Sequence, residues 1–414
     1  KYYKNNIELL DDYQNSIHED VFNNFIKNEI FNNIGHFNNI ILLIGSGASV
    51  VGNKDKRFGH TVEMLGDTIK KELDGPTYFT IDELISMCKY DIDSDKNFNL
   101  EDFLSRMQSF SQFVSNKDKN KFENSYEKII KIIKDKTFYD YDEKYFKHAK
   151  LIKQLTNLHT TPNRLSIVTT NYDTIIEESA YSLNYTVFDG FTFSHKPTFE
   201  AEMFDWYLSK PILDVKTQKE SYKKSVINLL KIHGSLTWER NNNEIVRKNK
   251  SNVEKPIMIF PSSNKYMQSY EKPYFELFTK FQELLRKSNT VLITTGFSFA
   301  DNHISQMVIQ AIKNNPSLSV LITDYNITPE QPNQNWIEMT KLMENDRFQC
   351  TECSNHMVFI LQIFCPIDYS NDDRILYFFS CVNKNCSNKQ CRLFRIVTKE
   401  KQTMKKMETK ILTF

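Results

Sequence analysis

The sequence has almost no net charge, few glycines and prolines, and no long apolar segment. Its 53 lysines and arginines balance 52 aspartates and glutamates, so the overall charge gives no indication of binding to nucleic acid or to an anionic membrane. No apolar run approaches the roughly 18 residues that span a bilayer. The polar stretch KYYKNNIELLDDYQ at the start does not resemble a signal peptide. We therefore expect a cytoplasmic protein that makes no membrane contact.

Cysteine is absent from residues 89–349. Of the seven cysteines, Cys88 lies alone and the other six fall within residues 350–391. Clustered cysteines in a cytosolic chain indicate a metal site more than disulfides, and two pairs separated by a strand-like stretch are typical of tetrahedral zinc. Cys391 is a spare ligand and Cys365 a core residue on this interpretation; unligated structural cysteines are the alternative. The predicted zinc ligands are Cys350, Cys353, Cys381 and Cys386.

Short apolar runs alternate with helical patterns along most of the chain. Such runs predict buried strands, and their alternation with helices predicts an α/β fold with a parallel sheet. The predicted strands are residues 39–45, 164–170, 226–235, 257–261, 289–298 and 318–324. The predicted helical segments are residues 7–30, 172–182, 274–287 and 302–314, with a helical insertion at about 60–160 after the first strand.

Four of the predicted strands end in distinctive polar or glycine-containing stretches. These stretches are GSGAS (45–49), TTNYD (169–173), KIHGS (231–235) and GFSF (296–299). Each alone has an ordinary explanation, such as a strand-to-helix turn, a helix cap by Asn171, Asp173 or Asp301, or a turn histidine at His233. Ligands of open α/β sheets bind at the carboxyl ends of the strands, however, so the four stretches are expected to meet at one edge.

In this order the four stretches resemble the motifs of the sirtuin family. That family has Gly-Ala-Gly-Ile-Ser, Thr-Gln-Asn-Ile-Asp, His-Gly and Gly-Thr-Ser, and the resemblance covers roughly residues 38–325. It implies a Rossmann-like sheet that binds NAD+ and cleaves the nicotinamide–ribose bond. It also implies catalytic roles for Asn171, which would orient a water, and for His233, as general base or as the group that orients the ribose hydroxyls. The implied NAD+-binding residues are Gly45, Ser46, Gly47, Ala48, Ser49, Asp173, Gly296, Phe297, Ser298 and Asp324.

Departures from the sirtuin pattern indicate a sub-class. The four-cysteine zinc module of the deacylating sirtuins is missing between His233 and Gly296, and VVGNKDKRFGH (50–60) replaces the Pro-Asp-Phe-Arg turn. The helical insertion and NLEDFLSRM (99–107) resemble the sirtuin-like NADases of bacterial antiphage systems. That resemblance implies hydrolysis of NAD+ by water, NAD depletion, a homo-oligomer and, in some systems, a HerA-like ATPase partner. An NAD-dependent deacylase or ADP-ribosyltransferase, and a non-catalytic sensor of NAD or ADP-ribose, are the alternatives.

The cysteine-rich tail resembles a different family. Residues 346–396 are similar to the N-terminal zinc module of the programmed-cell-death protein two family, with a CxxC pair, a Gln-Ile strand, an Arg-Ile-Leu-Tyr-Phe strand and an Arg-Phe-Arg end. A tail of this kind would fold with metal and serve as a small interaction module. We therefore predict a sirtuin-like domain at 1–345, a zinc-ribbon-like module at 346–400 and a tail at 401–414.

Overall fold

A six-stranded parallel sheet forms the centre of the protein. The computed structural model describes residues 3–4, 7–8, 34–35, 37–52, 57–90, 98, 100–159, 161–212, 219–242, 244–258, 272–323, 332–343, 350, 353, 358–364, 372–381, 383, 386, 391–399 and 410–413. The strands of the sheet are β1 (Asn39–Ile44), β2 (Leu165–Thr169), β3 (Thr186–Phe188), β4 (Val226–Lys231), β5 (Thr290–Thr295) and β6 (Leu318–Thr323). They lie in the order β6–β5–β1–β2–β4–β3, and all five neighbouring pairs are parallel.

The strand order reverses between β1 and β5. From β1 the sheet extends through β2 and β4 to β3, whereas β5 and β6 lie on the opposite side of β1. In doubly wound sheets a crevice forms at such a switch point, outside the carboxyl ends of the two strands, and ligands bind there. The topology therefore indicates where a ligand site is expected.

Helices cover both faces of the sheet. The described residues form the helices α1 (Val62–Glu72), α2 (Ile81–Met87), α3 (Leu100–Phe110), α4 (Lys119–Thr137), α5 (His148–Thr156), α6 (Ile175–Ser182), α7 (Tyr274–Arg286), α8 (Asn302–Asn314) and α9 (Gln334–Met343). Alternate residues of β1 point to opposite faces: Ile41 and Leu43 pack with α7, α8 and α9, while Ile40 and Leu42 pack with α5 and α6. Because both faces are buried, the strands are continuous apolar runs rather than alternating patterns.

The helical insertion between β1 and β2 has its own core. Helices α1 to α4 bury a cluster that includes Leu84, Phe103 and Ile129. Two residues from outside the insertion, Tyr172 and Leu236, join the same cluster. The insertion is thus packed against the chain segments that follow β2 and β4.

Two of the strand and helix predictions are wrong. The apolar run at 257–261 was expected in the parallel sheet, but Pro256–Met258 pairs antiparallel with Gly234–Asn241, which also pairs with Glu244–Arg247. Residues 259–261 lie outside the described part. Within the predicted helix at 7–30, Ile7–Glu8 forms a short strand with Tyr3–Lys4, and residues 9–30 are not among those described.

The C-terminal region contains a separate antiparallel sheet. Its strands are β7 (Val358–Phe364), β8 (Asp372–Ser380), β9 (Cys391–Lys399) and β10 (Lys410–Thr413), paired in chain order. Short two-stranded sheets also join Val51–Gly52 to Arg57–Phe58 and Ser209–Pro211 to Glu220–Tyr222. Every helix within the described ranges is too short or too polar to span a bilayer.

Candidate functional site

A cavity lies at the carboxyl ends of β1, β2, β4 and β5. Its volume is about 870 Å³, including its opening to solvent. Gly47 and Ala48 are outside its lining, and Asp324 lies outside the described residues. The predicted site residues that line it are Gly45, Ser46, Ser49, Asn171, Asp173, His233, Gly296, Phe297 and Ser298.

The glycines after β1 and β5 let the two backbone turns touch. The Gly47 amide donates to the Gly296 carbonyl at 3.0 Å, and a Cβ added to Gly45 would lie 2.4 Å from the same oxygen. Gly296 has φ +59°, and a Cβ there would lie 2.1 Å from the nitrogen of Ala48. These contacts require glycine for packing between the turns, in addition to any approach of a ligand.

The Asn171 side chain is buried at the cavity with its amide group held by two acceptors. Its Nδ2 donates to the Gly45 carbonyl at 3.1 Å and to Ser49 Oγ at 3.0 Å. Because a carbonyl oxygen only accepts, the amide atom that faces Gly45 is the nitrogen. The other amide atom, Oδ1, is buried, and no described residue donates to it. Asn171 therefore lines the cavity and carries a buried acceptor that no described residue uses.

Asp173 connects this asparagine to the helical insertion. Its Oδ2 accepts from Ser49 Oγ at 2.8 Å and from Tyr139 Oη at 2.9 Å, and its Oδ1 accepts from the amide of Ile175 at 3.1 Å. The last bond satisfies a free N–H at the start of α6, as predicted for a capping aspartate. Burial, and then the negative charge of Asp173, raise the pKa of the Tyr139 phenol, so Tyr139 remains a donor.

Lys231 holds the backbone of the TTNYD turn through its carbonyl oxygens. Its side chain is 1% exposed, and its Nζ contacts the carbonyls of Tyr172 and Asp173 and lies 2.9 Å from Glu177 Oε1. Burial raises the pKa of Glu177, and the charge of Lys231 opposes that rise. The buried ammonium of Lys231, paired with the half-buried Glu177, thus connects the turn to α6.

His233 and Asp301 form a buried pair on the other side of the cavity. His233 Nε2 lies 2.9 Å from Asp301 Oδ2, and the two side chains are 4% and 8% exposed. Oδ1 of Asp301 caps α8 by accepting from the amides of His303 and Ile304. Burial alone would raise the pKa of Asp301, but the adjacent imidazole of His233 and the backbone amide of Ile304 outweigh burial and lower it. The cap was predicted; the contact with His233 was not.

The insertion supplies the wall opposite the sheet. His60, Val62, Leu65, Leu100, Ile133 and Tyr139 line the cavity from the insertion and the turn before it. Burial, and then the charge of Lys136, lower the pKa of His60. None of these residues lies in one of the four strand-end stretches, because they belong to the insertion and its flanking turn, whose position relative to the sheet could not be predicted.

Four cysteines of the C-terminal region come together. Their sulfur atoms all lie within 4.8 Å of one another, with 3.8 Å between Cys350 and Cys386 and 3.5 Å between Cys353 and Cys381. Four thiolates around a tetrahedral zinc ion with bonds of about 2.3 Å would be about 3.8 Å apart. The predicted set is thus positioned to hold a metal ion, and its donor chemistry suits zinc.

Two sequence families match different parts of the chain. Residues 165–345 match the SIR2-like domain family. The matched stretch contains β2 to β6 and three of the four predicted motifs. Residues 331–410 match the family of the N-terminal domain of programmed cell death protein 2. The two matches overlap at 331–345, where Trp336 and Met339 of α9 are buried against the core of the parallel sheet.

A curated relative supports the second match. The programmed cell death protein 2-like protein of Mus musculus is 35% identical over 48 residues, which is 12% of this chain and 13% of the mouse protein. The chain therefore spans only a small part of this relative. Together the matches show that residues 165–345 are similar to the SIR2-like domain family and that the C-terminal segment is similar to the N-terminal domain of programmed cell death protein 2.

Proposed function

We propose that the protein hydrolyses NAD+ to nicotinamide and ADP-ribose. A SIR2-like domain supports an NAD-related function, and the arrangement of Asn171 favours water as the acceptor. Its Oδ1 is buried at the cavity without a donor among the described residues, while its Nδ2 is held by Gly45 and Ser49. A fixed acceptor of this kind can orient a water molecule for attack on the anomeric carbon of the ribose.

The chemistry requires little from the protein beyond positioning. Nicotinamide is a cationic leaving group, so its departure requires no proton, and the incoming water must lose one. His233 is suited to take that proton, because the carboxylate of Asp301 beside Nε2 favours the tautomer with hydrogen on Nε2 and leaves Nδ1 as the basic nitrogen. The C–N bond breaks, the C–O bond forms, and the proton passes to His233 and then to solvent.

The resemblance to antiphage NADases extends the proposal to biological role. On this proposal the protein depletes NAD in infected bacteria and acts as a homo-oligomer. A HerA-like ATPase, the partner of some of these NADases, is its candidate partner. Bacteria that express the chain, challenged with phage, should lose NAD and limit phage yield, whereas bacteria that express Asn171→Ala should do neither. Retention of NAD by the wild type in every infection would contradict this role.

A turnover assay with matched asparagine variants tests the chemistry. Nicotinamide and ADP-ribose are quantified for the wild type, Asn171→Ala and Asn228→Ala, and H₂¹⁸O shows whether water supplies the new ribose oxygen. Asn228 is 7% exposed like Asn171, and its Oδ1 also lacks a described donor, but it lies in β4 away from the cavity lining. We expect Asn171→Ala to lose about 100-fold or more in kcat and Asn228→Ala to remain active. Transfer of ADP-ribose to a peptide, or full activity of Asn171→Ala, would contradict the proposal.

A further inference from the structure

Tyr139 belongs to the helical insertion, yet its hydroxyl reaches the TTNYD turn. It follows α4, and its Oη donates to Asp173 Oδ2 at 2.9 Å. The ring is stacked on Phe146, with 5.8 Å between centroids and 9° between planes, and meets the edge of Phe58 at 6.1 Å. Because two aromatic neighbours hold the ring, the direction of the hydroxyl is fixed by packing.

The hydrogen bonds that lead from Tyr139 to Asn171 can run in one direction only. A carboxylate only accepts, so Ser49 must donate its single hydroxyl hydrogen to Asp173. The oxygen of Ser49 is then left as an acceptor, and it takes a hydrogen from Asn171 Nδ2. With Nδ2 held by Gly45 and Ser49, the orientation of the whole Asn171 amide is fixed, and Asn171 is one of the residues that line the cavity.

We propose that Tyr139 is a positioning residue: through Asp173 and Ser49 it holds the Asn171 amide in a single orientation beside the cavity, with Nδ2 on Gly45 and Ser49. The proposal rests on the proposed NAD+ hydrolysis for its kinetic readout. Without the phenol hydroxyl, Asp173 Oδ2 keeps one of its two side-chain donors. The carboxylate then gains rotational freedom, Ser49 follows it, and Asn171 Oδ1 spends less time in the reactive orientation. The helical insertion is therefore part of the reaction site.

A pair of tyrosine variants gives the direct test. Tyr139→Phe removes the hydroxyl that contacts Asp173. Tyr141→Phe removes a second hydroxyl from the same segment. The Tyr141 ring also packs on Phe146, with 6.1 Å between centroids, and its hydroxyl lies beside the side chains of Ser179 and Ser182. We expect Tyr139→Phe to lower kcat about tenfold with KM within about twofold, and Tyr141→Phe to keep the wild-type kcat. Equal kcat values for the two variants would overturn the proposal.

A double-mutant cycle tests the route through Ser49. In a Ser49→Ala background the link between Asp173 and Asn171 is already broken, so Tyr139→Phe should lower kcat by less than about twofold. A tenfold loss that persists in this background would show that Tyr139 acts by another route, and the positioning proposal would be wrong.

A crystallographic comparison separates this proposal from the proposed function. Structures of the wild type and Tyr139→Phe should differ in the Asn171 side chain, which we expect to be rotated or disordered in the variant while Tyr141→Phe leaves it unchanged. An unchanged Asn171 in Tyr139→Phe would overturn the positioning role whether or not the wild type hydrolyses NAD+. A displaced Asn171 in a protein that leaves NAD+ intact would support the positioning role and contradict the proposed function.

Discussion

His233 Nε2 and Asp301 Oδ2 lie 2.9 Å apart at the carboxyl edge of the sheet, joining the turn after β4 to the start of α8. The two residues are far apart in sequence, and Asp301 also caps α8 through its other oxygen. One carboxylate thus orients an imidazole and begins a helix. This double use allows the two roles to be separated by substitution.

Asp301→Asn should impair catalysis and leave the fold intact. Asparagine caps helices about as well as aspartate, so α8 should keep its start. The amide has no negative charge to favour a proton on Nε2 of His233, however, and we expect kcat for nicotinamide release to fall about 100-fold. Thermal unfolding is the control, because Asp301→Ala should lower both kcat and the unfolding temperature. Wild-type turnover by Asp301→Asn would exclude a role for the pair.

Gly296→Ala should lower the free energy of unfolding by about 3 kcal/mol or more. The new Cβ would lie 2.1 Å from the Ala48 backbone nitrogen, and the alanine would have to adopt the left-handed conformation of Gly296. Gly75→Ala is the matched control. Gly75 also has positive φ, at +124°, but its Cβ would come no closer than 3.8 Å to Tyr78, so only backbone strain of about 1–2 kcal/mol is expected. Chemical denaturation measures both variants. Equal losses would show that the contact between the two turns contributes nothing.

The purified protein should contain one zinc ion per chain, measured by elemental analysis. We expect Cys350→Ser and Cys381→Ser to lose it, because each removes one of four thiolate ligands. Cys88→Ser should retain the metal. Cys88 is a buried thiol of the helical insertion, where burial raises its pKa to about 11, and it is not among the four. Full zinc content in Cys350→Ser would contradict the assignment.

Stability should fall on acidification because both ring nitrogens of the half-buried His159 are shielded from solvent. Burial lowers its pKa from 6.5 to about 4. Between these values the unfolded chain binds a proton at His159 and the folded chain does not, so the free energy of unfolding decreases as the pH falls, by at most ~3 kcal/mol. We expect His159→Gln to reduce this dependence in denaturation measurements between about pH 4 and pH 6.5. His195→Gln, at an exposed position, should leave it unchanged.

The buried strands could be predicted from sequence because their burial on both faces makes them apolar runs. Five predicted runs form β1, β2, β4, β5 and β6. The run at 257–261 is equally apolar but pairs antiparallel outside the main sheet, and nothing in its composition distinguishes the two cases. The remaining strand, β3, has three residues and only Phe188 buried, which is too little for a recognisable pattern.

Only those residues of the candidate site that directly follow a predicted strand could be predicted from the sequence. Asn171 and His233 were placed at one edge because parallel strands end together, and both line the cavity. Asp301 was recognised as a helix cap, but its second contact depends on how the turns meet in space. Tyr139 could not be found, since its role depends on where the insertion packs.

Tyr172 and Leu236 flank the catalytic candidates in sequence and are buried in the core of the helical insertion. A side chain that anchors a turn in another segment's core leaves that turn little freedom to open alone. Amides of the two turns and of the insertion helices should therefore exchange with solvent hydrogen as one cooperative unit. Anything that loosens the insertion, at whatever distance from the cavity, would then also loosen the turn that carries Asn171.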